Sequence, residues 1–443
     1  MKLSVSSLVF ALLFSFLLET SASTDENFLQ CLTLHSGNDS ISKLIYSSSN
    51  SLNSAVLKFN IRNNRFSTPS TPIPQVIVTP LLISHVQATL NCSLKHGLHL
   101  RVRSGGHDYE GLSYVSPVPF VLDLINLRNI SVDIENSFAW VQSGATVGEV
   151  YYWIANKSRT LRFPAGLCHT MGVGGHFSGG GYGTMMRKYG LVADNVLDAH
   201  LIDVKGVNSS QEGNRTVQAS FDSLYLGGKD KLLPLMQESF PELGLVSEDC
   251  AEMSWIQSMV YFAGFSCEQS PDILLTRGPS ILYFKGKSDY VKNSIPEMGL
   301  EGIWQRFYEN EAASAMLILT PYGRRMSEIS ESSIPFPHSA GNIYKIQRLV
   351  SWSEEENAAP EMYVNWIRWL YNYMASYVSQ SPREAYLNYR GLDIGTNNEG
   401  NKSYSQASYG VLNILKSTSK GWWMGRLWLI LLISLRMSKI PLS

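Results

Sequence analysis

The chain has 443 residues, enough for two to three domains and a sizeable core, so it is not a small scaffold. Lys and Arg number 36 against 37 Asp and Glu, a net charge of −1, which excludes the long-range positive field of a dedicated nucleic-acid binder or a polybasic membrane protein. Only 16% of residues are charged while 11% are aromatic, with 34 Gly and 18 Pro spread over many turns, as in a globular, extracellular-style enzyme or binding protein.

Lys2, the apolar run Leu8 to Leu18 and the small residues Ser21, Ala22 and Ser23 stand in the order of a secretory leader. Residues 1–23 are therefore read as a signal peptide, the run being shorter than the ~20 residues a membrane span needs. N-x-S/T sequons at Asn38, Asn91, Asn129, Asn156, Asn208, Asn214 and Asn401 fit a glycosylated surface. Five cysteines in an oxidising compartment leave at least one unpaired. Cys31 and Cys92 are expected to tie the mature N-terminus to the first helix, while Cys250 and Cys267 read equally as a second disulfide or as buried thiols.

Past a short N-terminal segment, 24–70, the pattern becomes legible. Val76 to Val78 reads as a buried strand, followed by an amphipathic helix capped by Ser84 and ended at Gly97. Leu98 to Val102 is a strand running directly into the turn Arg103-Ser104-Gly105-Gly106-His107, whose glycines permit close approach of the backbone to something bulky. Phe120 to Leu124 and Ala139 to Ser143 are further strands, and Thr146-x-x-Glu149 is a capping box opening a helix through Trp153.

The glycine-dense stretch Cys168 to Gly183 is neither a dinucleotide fingerprint, since Phe177 stands where the last glycine belongs, nor a P-loop, and no zinc-ligand spacing occurs in the chain. From about Phe221 helical patterns at Leu232 to Phe240 and Ala359 to Val378 alternate with strands at Ile281 to Phe284 and Ala315 to Thr320, predicting a second α+β domain. In Tyr344-Lys345-Ile346-Gln347, strand alternation places Lys345 and Gln347 on one face. The apolar run Leu427 to Leu435 reads as an interfacial or packed helix.

Taken together, the blocks Arg103 to Tyr109, Cys168 with Gly172-Val173-Gly174-Gly175-His176, and Tyr386-Leu387-Asn388-Tyr389-Arg390 resemble the secreted plant berberine bridge enzyme-like family of FAD-linked oxidases. The resemblance implies a two-domain α+β fold, a vanillyl-alcohol-oxidase-like FAD-binding domain over residues 71–206 and an antiparallel-sheet substrate domain over 207–380. Residues 381–443 would return to the FAD domain. It implies FAD joined covalently to both His107 and Cys168, with Arg103, Ser104, Gly105, Gly106, Gly172, Val173, Gly174, Gly175 and His176 around it. Val173 would correspond to the small residue that leaves dioxygen access to the flavin. Tyr389, Tyr182 and Lys345 would handle the proton, Lys345 lowering a phenol pKa so that it serves as base near neutral pH, and Gln347 would orient the substrate. The implied protein is a monomer of the extracellular space or cell wall, with no nucleic-acid partner, that oxidises a monolignol-type aromatic alcohol or a carbohydrate and returns hydrogen peroxide.

Two departures from that family stand out. After Asp203-Val204-Lys205-Gly206 a long stretch of the FAD domain is missing, which predicts exposed sheet edges and an incomplete flavin wall. From Tyr409 onward the tail is atypical, and Gly391 replaces the aspartate usual after Tyr389-Arg390. The alternative reading is a vestigial or non-catalytic secreted binding protein.

Overall fold

The computed structural model describes residues 26–36, 39–69, 71–114, 120–203, 222–278, 280–312, 314–331, 333, 336–380, 382–389, 391, 393 and 428–439. The leader, the sequons Asn38, Asn208, Asn214 and Asn401, the break after Gly206, and Arg390 lie outside them. The chain contributes strands β1 (Ile45–Ser47), β2 (Val76–Val78), β3 (Leu100–Arg103), β4 (Phe120–Asp123), β5 (Ile130–Asp133), β6 (Phe138–Gln142), β7 (Leu161–Arg162) and β8 (Val196–Asp203). Then come β9 (Tyr283–Val291), β10 (Ala315–Pro321), β11 (Tyr344–Trp352), β12 (Trp428–Arg436) and β13 (Ser438–Lys439).

The first sheet has the order β1-β2-β4-β3, with β2, β4 and β3 parallel and β1 antiparallel at the edge. Parallel neighbours need a crossover, supplied between β2 and β3 by the helix Ile83–Lys95. Val76, Ile77 and Val78 are buried, as strands covered on both faces must be. Helix 26–35 is pinned to this layer by the expected disulfide Cys31–Cys92, and Phe28 and Leu32 pack with Val86, Leu90, Phe120 and Leu122. The helix Ile83–Lys95 begins two residues earlier than expected: Leu82 is its N-cap and makes no side-chain cap bond, so Ser84 lies inside the first turn.

The second sheet is antiparallel with the order β5-β6-β12-β8. Its helix, Val147–Lys157, carries the anticipated capping box: the Glu149 amide donates to Thr146 Oγ1 at 3.3 Å and the Thr146 amide to Glu149 Oε2 at 2.7 Å. Val147, Val150, Tyr151 and Ile154 bury one helix face against Ala139, Val141 and Phe163. Trp255, Met259, Val260 and Leu274 join this same core, although they lie within the stretch 207–380 expected to form the substrate domain.

The apolar tail corrects the sequence reading twice. Trp428–Arg436 is a strand, not a helix, and it lies between β6 and β8, pairing Ile433 with Val141 on one side and with Ala199 on the other. A short continuous apolar run has the same pattern whether it becomes a buried strand or a buried helix, and tertiary pairing decides. The sheet therefore has no gap between β6 and β8, where an exposed edge was expected.

The third sheet, β10-β11-β9, is antiparallel, with the helix Pro360–Tyr373 packed on it through Val364, Ile367 and Leu370 against Ile346, Val350 and Trp352. No helix among the described residues is long and apolar enough to cross a membrane.

Candidate active site

Strand β3 delivers the turn 104–107 against the stretch 168–175. A Cβ added at Gly105 would collide with the Gly172 backbone, and one at Gly106, whose φ is +69°, with the carbonyl of Asn60. These glycines thus serve the approach of one chain segment to another, rather than only to a ligand. Gly174 lies against Ser143, Ser104 Oγ donates to the Ser143 carbonyl, and Val173 is fully buried in the second-layer core. Gly175 alone in this stretch faces open space.

That apposition brings His107 and Cys168 onto one hydroxyl. His107 Nε2 is 2.7 Å from Thr170 Oγ1, and Cys168 Sγ is 3.5 Å from the same oxygen. Burial, helped by Arg62 and the other two imidazoles nearby, holds His107 well below the usual histidine range, so its ring is neutral. Cys168 is a free, exposed thiol. His176 is buried, accepts the Gly166 amide at Nε2 (3.0 Å), and is lowered to about 4 by burial and then by Lys345. Arg103 faces the protein interior instead: fully buried, it pairs with Asp123 at 2.7 Å and donates to the carbonyls of Leu57 and Val56.

A second cluster is built on β11, where alternation does put Lys345 and Gln347 on one face. Lys345 Nζ lies 3.4 Å from the ring centre of Tyr182 and 4.5 Å from those of Tyr386 and Tyr389, with no hydrogen-bond partner among the described residues. The Tyr182 and Tyr389 hydroxyls share a hydrogen bond of 2.7 Å. Gln347 Nε2 donates to the Tyr109 hydroxyl at 2.7 Å, and Tyr109 stacks on Tyr389. Asn388 bridges the clusters, donating to the Tyr386 hydroxyl at 2.9 Å and to the His176 carbonyl at 3.2 Å.

The electrostatics differ from the expectation that Lys345 would draw the phenols down. Burial pushes the Tyr389 and Tyr182 phenols up and the Lys345 amine well below the usual lysine range. Desolvation penalises ammonium and phenolate alike, and Nζ sits over ring faces rather than beside an oxygen. Burial thus disfavours both charged forms in the resting cluster, the Lys345 ammonium and the phenolates around it.

Sequence reasoning passed over Tyr109, Thr170, Tyr386 and Asn388. Each lies within three residues of a residue that was given a role, and that adjacency was the available signal. At Gly391, a Cβ would stand 3.8 Å from Lys287 Nζ and 3.9 Å from Lys285 Nζ, the place of the aspartate expected there. Asp393 supplies the charge, 2.7 Å from Lys287 Nζ.

Cys250 and Cys267 are free and partly exposed, which is neither of the two states expected for them. Among the described residues no cluster of His, Cys, Asp or Glu could hold a metal ion. The donor set fits a flavin: an imidazole whose Nδ1 makes no hydrogen bond to a described residue, an exposed thiol beside it, open space at Gly175, and beyond them a buried amine with no partner among the described residues.

A family profile described as an FAD binding domain matches residues 74–208. Tetrahydroberberine oxidase of Berberis wilsoniae is 44% identical over 485 aligned residues, covering 90% of this chain and 91% of that protein. The alignment is longer than the chain's 443 residues, so the relative carries segments absent here. The solved structure of a berberine bridge enzyme-like protein, number 28 of Arabidopsis thaliana, superposes with a TM-score of 0.80 at 36% identity, covering 89% of this chain and 95% of that one. Phl p 4, a grass pollen allergen with glucose dehydrogenase activity, gives a TM-score of 0.81 at 34% identity, covering 89% and 94%. With mixed parallel and antiparallel sheets joined to a third that carries Lys345, the chain belongs to the berberine bridge enzyme-like family of FAD-linked oxidoreductases and has their two-domain α+β fold.

Proposed function

We propose that this chain oxidises the CH–OH group of a small aromatic alcohol, of the monolignol type, in a secreted, monomeric, cell-wall-associated form. Secretion is supported by the leader pattern and by the disulfide. The sequon residues Asn91, Asn129 and Asn156 are all exposed, as glycosylation requires. His107 and Cys168 would carry the flavin covalently, with the 104–107 turn, Gly172, Gly174, Gly175 and His176 around it. FAD bound there supplies a two-electron acceptor for hydride from the alcohol carbon, re-oxidised by dioxygen with release of hydrogen peroxide. Val173, small and fully buried, fits the position that leaves dioxygen access.

The observation that carries the reading is the Tyr182–Tyr389 hydrogen bond beneath Lys345, an amine with no hydrogen-bond partner among the described residues and with an ammonium form that burial disfavours. Tyr389 receives the proton of the substrate hydroxyl while the tyrosine pair gives up one of its own to the Lys345 amine, so that no isolated phenolate forms in the buried site. Gln347, through Tyr109, sets the aromatic wall against which the substrate ring lies. Tyr109, Tyr182, Tyr386 and Tyr389 make that wall, and stacking on such rings favours an aromatic alcohol over a carbohydrate.

Purified full-length protein under air is expected to release hydrogen peroxide with monolignols and little with mono- and oligosaccharides. Tyr389→Phe should lower kcat by roughly 100-fold or more, the scale of a lost acid–base group. Peroxide from neither class would overturn the reading in favour of a non-catalytic binding protein. The segments that the tetrahydroberberine oxidase has and this chain lacks support that alternative.

A further inference from the structure

We infer that Thr170 is the positioning residue for both attachment side chains, its one hydroxyl holding the His107 ring and the Cys168 sulfur in place. The inference rests on the covalent reading above.

One hydroxyl can donate once and accept at the same time. Thr170 Oγ1 lies within hydrogen-bond distance of both His107 Nε2, at 2.7 Å, and Cys168 Sγ, at 3.5 Å. His107 is a neutral ring with a single N–H. With that proton on Nε2 and directed at Thr170 Oγ1, the lone pair of Nδ1 is left exposed as the nucleophile, and the threonine proton is left to face the sulfur. The reverse tautomer would place the lone pair on Nε2, against the threonine and away from any ligand. Nδ1 makes no hydrogen bond to any described residue, which is the condition a linking nitrogen must meet.

The chain supports this arrangement from both sides. Thr170 lies between Cys168 and the capping region: the Met171 amide donates to the Cys168 carbonyl at 3.1 Å, and the Val147 amide, at the start of the capped helix, donates to the Met171 carbonyl at 2.8 Å. The Thr170 carbonyl in turn lies where a Cβ on Gly105 would intrude. The hydroxyl is thus held by backbone on rigid elements rather than by a free loop.

The chemistry balances as an oxidation. At each attachment a C–H bond of the flavin and an N–H or S–H bond of the protein break and one C–N or C–S bond forms. Two protons and two electrons leave, and dioxygen takes them up as hydrogen peroxide. When Nδ1 bonds, it is the Nε2 proton that must depart, and Thr170 Oγ1 is positioned to relay it, taking that proton as its own hydroxyl proton passes to solvent at the exposed Cys168.

The test is peptide mapping by mass spectrometry of the secreted full chain, with flavin mass scored separately on the His107 and Cys168 peptides. In the wild type both peptides are expected to carry the linkage. Thr170→Val, which keeps the shape and removes the hydroxyl, should lower the doubly linked fraction about fivefold or more, the worth of one hydrogen bond. Thr170→Ser should restore it. A valine variant linked as fully as wild type at both residues overturns this inference alone. A wild type with no flavin on either peptide overturns the covalent reading and this inference with it.

Discussion

At the scale of single residues, the proposed chemistry turns on the buried amine of Lys345. An unpaired amine in an apolar site costs stability, so Lys345→Met is expected to hold or raise the melting temperature while lowering kcat by roughly 100- to 10,000-fold. A variant that loses stability and activity in parallel would make Lys345 a structural residue. A pH effect follows from His176, lowered to about 4 from an ordinary 6.5 by burial. The unfolded chain takes up a proton across that window and the native chain does not. Stability is therefore full above pH 6.5 and declines as pH falls toward 4, by up to about 3 kcal/mol. His107 and His169 are lowered as well and add to the decline. Melting temperatures measured from pH 7 to pH 4 should show it, with a shallower slope in His176→Gln; equal slopes would remove His176 as the source. Motif residues such as His107, Cys168 and the Lys345/Gln347 face were legible in sequence because each belongs to a local pattern. The pKa directions were not, because they depend on how many rings the fold stacks around one nitrogen.

At the scale of elements, local signals fared best where the chain satisfies itself within a few residues. The Thr146/Glu149 capping box needs only four positions, and β4, β6 and β10 are bounded by turns and carry enough β-branched and aromatic residues to be read directly. The tail strand β12 could not be read this way, because its partners β6 and β8 are more than two hundred residues away in the chain. Its pairing on both sides leads to a definite expectation. Ile433→Pro removes a ladder donor from the centre of a sheet, and each buried backbone group so orphaned costs ~1–3 kcal/mol. The variant should be secreted poorly and melt well below the wild type. A proline variant with unchanged yield and melting temperature would mean that β12 does not complete this sheet.

For the whole molecule, the chain assembles one cluster around His107 and Cys168 and another around Lys345 while lacking part of the relatives' length, and the tail strand between β6 and β8 fills a place in the sheet. Whether that sheet encloses a flavin as the relatives' does is the central claim, and length, charge and composition alone had narrowed the answer only to an extracellular-type globular protein. The family likeness came from three separated blocks, and the fold unites them: the first two through the contact of Gly105 with Gly172, the third through Asn388 on the His176 carbonyl. The most direct measurement is the visible spectrum of the secreted full chain after acid precipitation, washing and resolubilisation. The account predicts that flavin absorbance stays with the polypeptide at close to one flavin per chain. A colourless polypeptide, with flavin either in the supernatant or absent, would contradict it.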